Sequence, residues 1–353
     1  MIKDTLNSLL EPNKKLSSVP DTIVAPELTS TKYLPMYNGT VTNQIATIGR
    51  DETPASVDSI TQTATIKRDS VTFFIDDYTP NNVLPTGSVK LLDILTLKYT
   101  QLSTYKQKQN LPLDDTITLP IQEYVDFLGL PNPGKKETRK EASKRLKKFI
   151  TPIHRFRYEY GEGNIKQYGA GGICSSFKFE RGVLTFTFTQ ELARALNQGF
   201  VMQYPVDILS ISERNPNAYP LARKLALHHS IYNNILRGTN NIISVAKLLE
   251  SAPEIPSYED VMASNRAWRK RIVEAFEKAM DEIGPLLTWE YCNSKKVPLT
   301  DNQAEIPDYT TFESLYIKFD LVNAPDLTQK IEEKKKRAKV KKKTRKDNKK
   351  EKE

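Results

Sequence analysis

LPIQEYVDFLGLPNPGKKETRKEASKRLKKFI, residues 119–150, carries two helical stretches separated by a dense turn signal. Pro120 suits the first position of a helix, where its missing N–H costs nothing, and the short apolar stretch that follows ends at Gly129. Pro131, Asn132, Pro133 and Gly134 then break the chain. From Lys136 to Ile150 the pattern is amphipathic. Ala142, Leu146, Phe149 and Ile150 fall within one narrow arc at about 100° per residue, and Lys136, Lys140, Lys144 and Lys147 fall on the opposite side. Short helix, turn, long helix is the reading on which the rest of the chain is built.

Upstream, residues 89–105 read as a helix and 116–119 as a short extended piece. Downstream of Pro152 come three strand-like runs, 153–160, 173–179 and 183–188, with glycine-rich segments at 161–163 and 169–172 between the first two and a tight turn at 180–182 between the others. This is the order of a winged helix, with the glycine-rich loop as its wing. The second half repeats the order: a helix over 219–237, an extended piece at 241–244, a helix over 245–250 that Ser244 can cap, a break at Pro253–Pro256, a turn of helix at 258–262, a long helix over 265–283 and strands at 287–292 and 315–321. The expected fold is α+β and helix-rich: two tandem winged-helix domains, each a helix-turn-helix plus a β-hairpin, over residues 67–202 and 203–325. A polar, mostly disordered segment is expected over 1–66, and a disordered lysine-rich tail over 326–353.

The 353 residues carry a formal charge of +9. Residues 329–353 hold 14 Lys/Arg and 5 Asp/Glu, which leaves 38 basic and 38 acidic residues in the remainder. The tail therefore accounts for the whole excess, and any affinity of the folded body for a polyanion must come from local clustering. No stretch approaches the roughly 20 apolar residues of a membrane helix, and the N-terminus lacks a signal-peptide pattern, so a cytoplasmic location is expected. Cys174 and Cys292 stand alone, without metal-ligand spacing.

Two basic helices are the candidate sites, both for duplex DNA. Between Lys135 and Arg157 there are ten Lys/Arg against two acids. A run of charge is ordinarily a solvated face, but a helix with one core face and one lysine face, set after a helix-turn pattern, matches phosphate neutralisation along a groove. Lys136, Arg139, Lys140, Lys144 and Lys147 are its candidates, suited to gripping the backbone. In the second helix Trp268, Ile272, Ala275, Phe276, Ala279 and Ile283 form the expected core face. Arg266, Arg269, Lys270 and Arg271 crowd the first two turns, while Glu274, Glu277, Asp281 and Glu282 follow. That order runs against the helix dipole, and a partner bringing negative charge to the N-terminal end accounts for it. Arginine pairs bidentately with guanine, so this helix is the candidate reader. The lysine tail is expected to hold DNA without sequence preference.

Enzyme signatures are absent from the sequence. There is no GxxxxGK[ST] loop, and Gly169–Gly172 precedes a strand rather than a helix. His154, His228 and His229 are the only histidines, and the adjacent pair falls on different helix faces, a poor metal clamp. No catalytic role, metal or cofactor is expected.

With LTLKYTQL, LPIQEYVDFLGL and KKETRKEASKRLKKF in the first half, and NPNAYPLARKLALHHSIYNN, ISVAKLLESAPEIPSYEDV, RAWRKRIVEAFEKAMDEI and LLTWEYC in the second, the chain resembles the two-winged-helix replication initiators of plasmids and related mobile elements. The resemblance spans roughly residues 71–321 and lies in element order and residue type. It implies a bacterial protein that binds repeated sites at an origin of replication, with the C-terminal module reading the major groove through Arg266, Arg269, Lys270 and Arg271. The N-terminal module would contact an adjacent groove or backbone through the lysine helix and mediate dimerisation. It further implies recruitment of a host initiator and helicase, and repression of the protein's own gene by the dimer. A transcriptional regulator built from the same modules is the nearest alternative. A nicking or priming enzyme is a more distant one, disfavoured by the missing His-hydrophobic-His pair.

Overall fold

The computed structural model describes residues 32–49, 53–68, 71–80, 83–131, 134–161, 169–264, 266–299 and 306–325. At its centre runs the helix Thr86–Lys108, 23 residues long and buried on nearly every side. It packs against the strand β1 (Tyr33–Asn38), the helix Lys136–Arg155 and the strand β5 (Thr116–Pro120), and buries polar as well as apolar side chains. Two of its buried polar groups find partners in the surrounding elements. Ser88 donates to the Phe149 carbonyl at 2.9 Å, and Thr100 accepts from the Tyr37 N–H at 2.8 Å. Gly87 is required by close approach: a Cβ there would lie 2.3 Å from the Phe149 ring.

The turn-separated pair of helices is present as expected, as Ile121–Phe127 and Lys136–Arg155. The second is one turn longer than its sequence pattern, because Pro152 sits inside it without ending it. After it the chain departs from expectation. Residues 153–155 are helical, and β6 (Phe156–Tyr160) pairs with β7 (Gly169–Gly172), not with the later hairpin. These two strands join β2 (Ser56–Asp58), β3 (Thr63–Arg68) and β4 (Val71–Ile75) in a five-stranded sheet of order β2-β3-β4-β6-β7. The hairpin of β8 (Cys174–Glu180) and β9 (Val183–Phe188) instead pairs with β5, in the order β5-β9-β8. The wing of this module is therefore the β8–β9 hairpin, turning at Arg181 and Gly182 with positive φ, and not the glycine-rich loop. Glycine in β7 serves packing: a Cβ on Gly169 would lie 2.5 Å from the Tyr160 ring.

The expectation of disorder through residue 66 fails for residues 32–49 and 53–66. Besides β2 and β3 they hold β1 and the helix Thr40–Ile45. β1 pairs antiparallel with β10 (Phe200–Pro205), whose residues straddle the expected boundary between the halves. Residues 1–31 and the lysine tail from 326 lie outside the described residues, as does the expected disorder of both.

Beyond β10 the chain forms Ala218–Ser230 and Tyr232–Leu236, where one continuous helix was expected; Ile231 is extended and interrupts it. β11 (Ile242–Ser244) leads into Val245–Leu249, with Ser244 accepting from the Lys247 N–H at 3.4 Å as the sequence suggested. Tyr258–Ala263, Glu274–Ile283, β12 (Leu287–Cys292), Tyr309–Ser314 and β13 (Tyr316–Leu321) follow. The sheet order β11-β13-β12 reproduces β5-β9-β8, in that the strand before the helices pairs with the last strand of the hairpin. The two halves meet at a buried polar joint. Arg223 Nε donates to Asp93 Oδ2 at 2.7 Å and Nη1 to Asn43 Oδ1 at 2.9 Å, while the Tyr219 hydroxyl donates to Asp93 at 2.5 Å and lies 2.7 Å from that of Tyr204. Lys90 reaches the Ile211 carbonyl beside this joint. Helices from both halves and the N-terminal strap are thereby fixed to one another, and the described residues from Lys32 onward cluster as one unit.

Candidate nucleic-acid interface

The lysine helix is held by Ala142, Leu146, Phe149, Ile150 and Ile153, all buried. Each large apolar side chain so buried contributes about 1.5–3 kcal/mol, which fixes the rotation of the helix and leaves Lys136, Arg139, Lys140, Lys144 and Lys147 exposed on the other side. The β8 strand flanks this face. Phe179 lies under Lys147, with Nζ 5.1 Å from the ring centroid, and Phe177 meets His154 edge to face at 5.4 Å. Phe177 and Lys178 on this strand are exposed, and they were not among the residues singled out from the sequence. Arg145 turns away toward Glu141, 3.4 Å from its carboxylate.

The second basic cluster is built differently from its helical pattern. Arg266 lies before the helix, its N–H donating to the Val261 carbonyl at 3.1 Å, and Asn265 is outside the described residues. The helix begins at Trp268, and Arg269–Val273 form a π-turn. A π-turn accommodates one extra residue, so both Ile272 and Val273 point inward and Met280 joins Phe276, Ala279 and Ile283 in the core; Ala275 is only half-buried. Trp268 is half-buried too, against Tyr258 and Tyr309, rather than inserted into the core. Arg266, Arg269, Lys270 and Arg271 are all exposed. Arg269 is engaged within the fold, donating from Nη1 to the Ile306 carbonyl at 3.3 Å. Further along, burial raises the Glu277 carboxyl above its ordinary value, and the Tyr291 hydroxyl donates to it at 3.2 Å.

Sequence reading also passed over Lys295 and Lys296. They sit exposed on a turn after β12 in which the Asn293 carboxamide accepts from the Lys295 and Val297 N–H groups, at 2.9 and 3.1 Å, with Lys296 at φ 64°. The signal was present in the Asn-Ser-Lys-Lys run, since asparagine begins such turns. His228 is structural: its Nε2 lies 3.0 and 2.9 Å from the Thr239 and Ile242 carbonyl oxygens. No group of three or more His, Cys, Asp or Glu able to hold a metal ion occurs among the described residues. No helix among them is long and apolar enough to cross a membrane.

A helix-turn-helix closed by a three-stranded sheet of order β5-β9-β8 places the first half in the winged-helix class. Residues 84–205 match the family model described as Initiator Replication protein, WH1. The crystal structure of the WH1 domain of MSBI1.176, a replication protein isolated from a multiple sclerosis patient, is also similar. It is 9% identical, with 37% of this chain and 88% of that chain covered, at a TM-score of 0.24. No curated protein matches the chain.

Proposed function

We propose that the protein starts replication of a plasmid or mobile element by binding repeated sites in duplex DNA at an origin, acting through two winged helices and without an enzymatic step of its own. The observation that carries the proposal is the repeated sheet order, β5-β9-β8 and β11-β13-β12, each following helices that expose a basic face. The match of residues 84–205 to the initiator WH1 domain supports the same reading for the first module. In the second, Arg266, Lys270 and Arg271 supply base and phosphate contacts, with Lys295 and Lys296 on the hairpin turn beside the backbone. In the first, Lys136, Arg139, Lys140, Lys144 and Lys147 grip phosphates. A homodimer, a host initiator and a helicase are the protein partners this role calls for, and autorepression and a bacterial cytoplasmic location belong to the same proposal.

The experiment is genetic. The gene, cloned with its flanking DNA on a vector lacking an origin, is expected to replicate a selectable marker in a suitable host, and to lose that ability when direct repeats in the flank are scrambled. Replication that is indifferent to the repeats would count against the proposal.

A further inference from the structure

Three elements meet at the start of the second basic helix. Tyr258 opens the helix Tyr258–Ala263, Tyr309 opens the helix Tyr309–Ser314, and Trp268 is the first residue of the basic helix itself. Tyr258 and Tyr309 stack with centroids 4.4 Å apart and planes 9° from parallel. Trp268 meets both edge to face, 6.3 Å from each. The two tyrosine helices are capped, Ser257 accepting from the Asp260 N–H at 3.1 Å and Asp308 from the Thr311 N–H at 2.8 Å, so the rings are presented from fixed supports. One residue along, Arg269 donates to the carbonyl of Ile306, which is itself buried.

The first turn of this helix needs such support. Its N–H groups have no partner within the helix, its positive side chains oppose the dipole, and it runs straight into a π-turn, a geometry that persists where surrounding structure imposes it. We infer that Tyr258, Trp268 and Tyr309 are positioning residues that fix the angle at which Lys270 and Arg271 face DNA, and that Arg269 belongs to this clamp rather than to the base contacts. The inference rests on the duplex-binding reading above. Base contacts demand fixed geometry and phosphate contacts tolerate more, so loosening the clamp costs discrimination while leaving the charge of the surface unchanged.

The test uses the full chain and a duplex enriched by selection from a random-sequence library, compared with an unselected duplex of equal length. Tyr309→Ala is expected to lower the selected-to-random affinity ratio by about tenfold, the scale of one base contact, while affinity for random duplex stays within about twofold. Tyr309→Phe keeps the ring and is expected to keep the ratio. In a Lys270→Ala plus Arg271→Ala background, Tyr309→Ala is expected to add nothing further to the loss, because the residues it positions are gone. Should Tyr309→Ala unfold, Tyr309→Leu, which fills the site without a stacking face, replaces it under the same expectation. An unchanged ratio, or a parallel loss for both duplexes, overturns the clamp and leaves duplex binding standing. A wild-type protein from which selection enriches no sequence overturns the duplex-reading proposal and the clamp with it.

Discussion

Arg223 Nε lies 2.7 Å from Asp93 Oδ2, with both side chains almost wholly buried, and this contact joins a helix of the second half to the central helix of the first. The same carboxylate accepts from Tyr219, and the same guanidinium reaches Asn43 on the N-terminal strap. A buried pair of this kind gives little net stability over an apolar pair of equal volume, but breaking it strands a charge. Asp93→Asn is therefore expected to cost about 3–5 kcal/mol in urea unfolding, and Asp93→Leu combined with Arg223→Met less than that. A loss under about 1 kcal/mol for the single variant would mean that the joint is not held by this pair.

At Gly87 two effects oppose each other. Alanine gains up to about 1 kcal/mol over glycine in the middle of a helix and less in the first turn, where Gly87 lies, but a Cβ here lies 2.3 Å from the Phe149 ring. Overpacking at about 1–3 kcal/mol wins, so Gly87→Ala should lower the melting temperature, and Phe149→Leu in the same chain should recover part of the loss. A stabilised Gly87→Ala protein would contradict the packing described between these helices.

Burial pushes the Cys174 thiol up to about 12 and raises that of Cys292 as well. The nucleophile is the thiolate, so both should resist iodoacetamide near pH 8 in the folded protein and react once it is unfolded. Rapid labelling of the native protein, counted by mass spectrometry, would show that one of these strands opens readily.

His228 and His229 are held below their ordinary imidazole value, chiefly by burial. Below about pH 6.5 the unfolded chain then binds more protons at these positions than the folded one, so stability rises with pH through that window and falls as acid is added. Unfolding free energy should decline from about pH 7 to pH 5, and His228→Gln should flatten part of that slope. A slope unchanged by the substitution would assign the acid sensitivity to His229 or to carboxylates rather than to His228.

The parts of the fold that were legible in sequence are those encoded locally. The face of Lys136–Arg155 followed from Ala142, Leu146 and Phe149 recurring at helical spacing. Ser244 announced its helix by residue type alone. Pairings between distant residues were not legible. β1 shows little alternation and finds its partner in β10, far along the chain, so residues 33–38 read as part of a polar tail. The glycine-rich run looked like a wing because nothing local distinguishes a hairpin of β6 and β7 from one of β8 and β9; the choice is made by β4 and β5, which accept them. The π-turn at Arg269–Val273 was equally hidden, since regular helical spacing assigns Val273 to the surface and the structure buries it. Residue type located the basic cluster, while its geometry depends on Tyr258 and Tyr309, which sequence separates from it.

The division of labour between the two basic helices is tested most directly by the salt dependence of binding to selected and random duplexes. Lys140→Ala plus Lys144→Ala is expected to weaken both about equally and to lower the slope of log affinity against log salt by about 2, one unit for each phosphate contact removed. Arg266→Ala plus Lys270→Ala is expected to abolish the preference for the selected duplex. If the lysine pair alone destroyed that preference while the Arg266 and Lys270 pair left it intact, the assignment of gripping and reading to these helices would be contradicted.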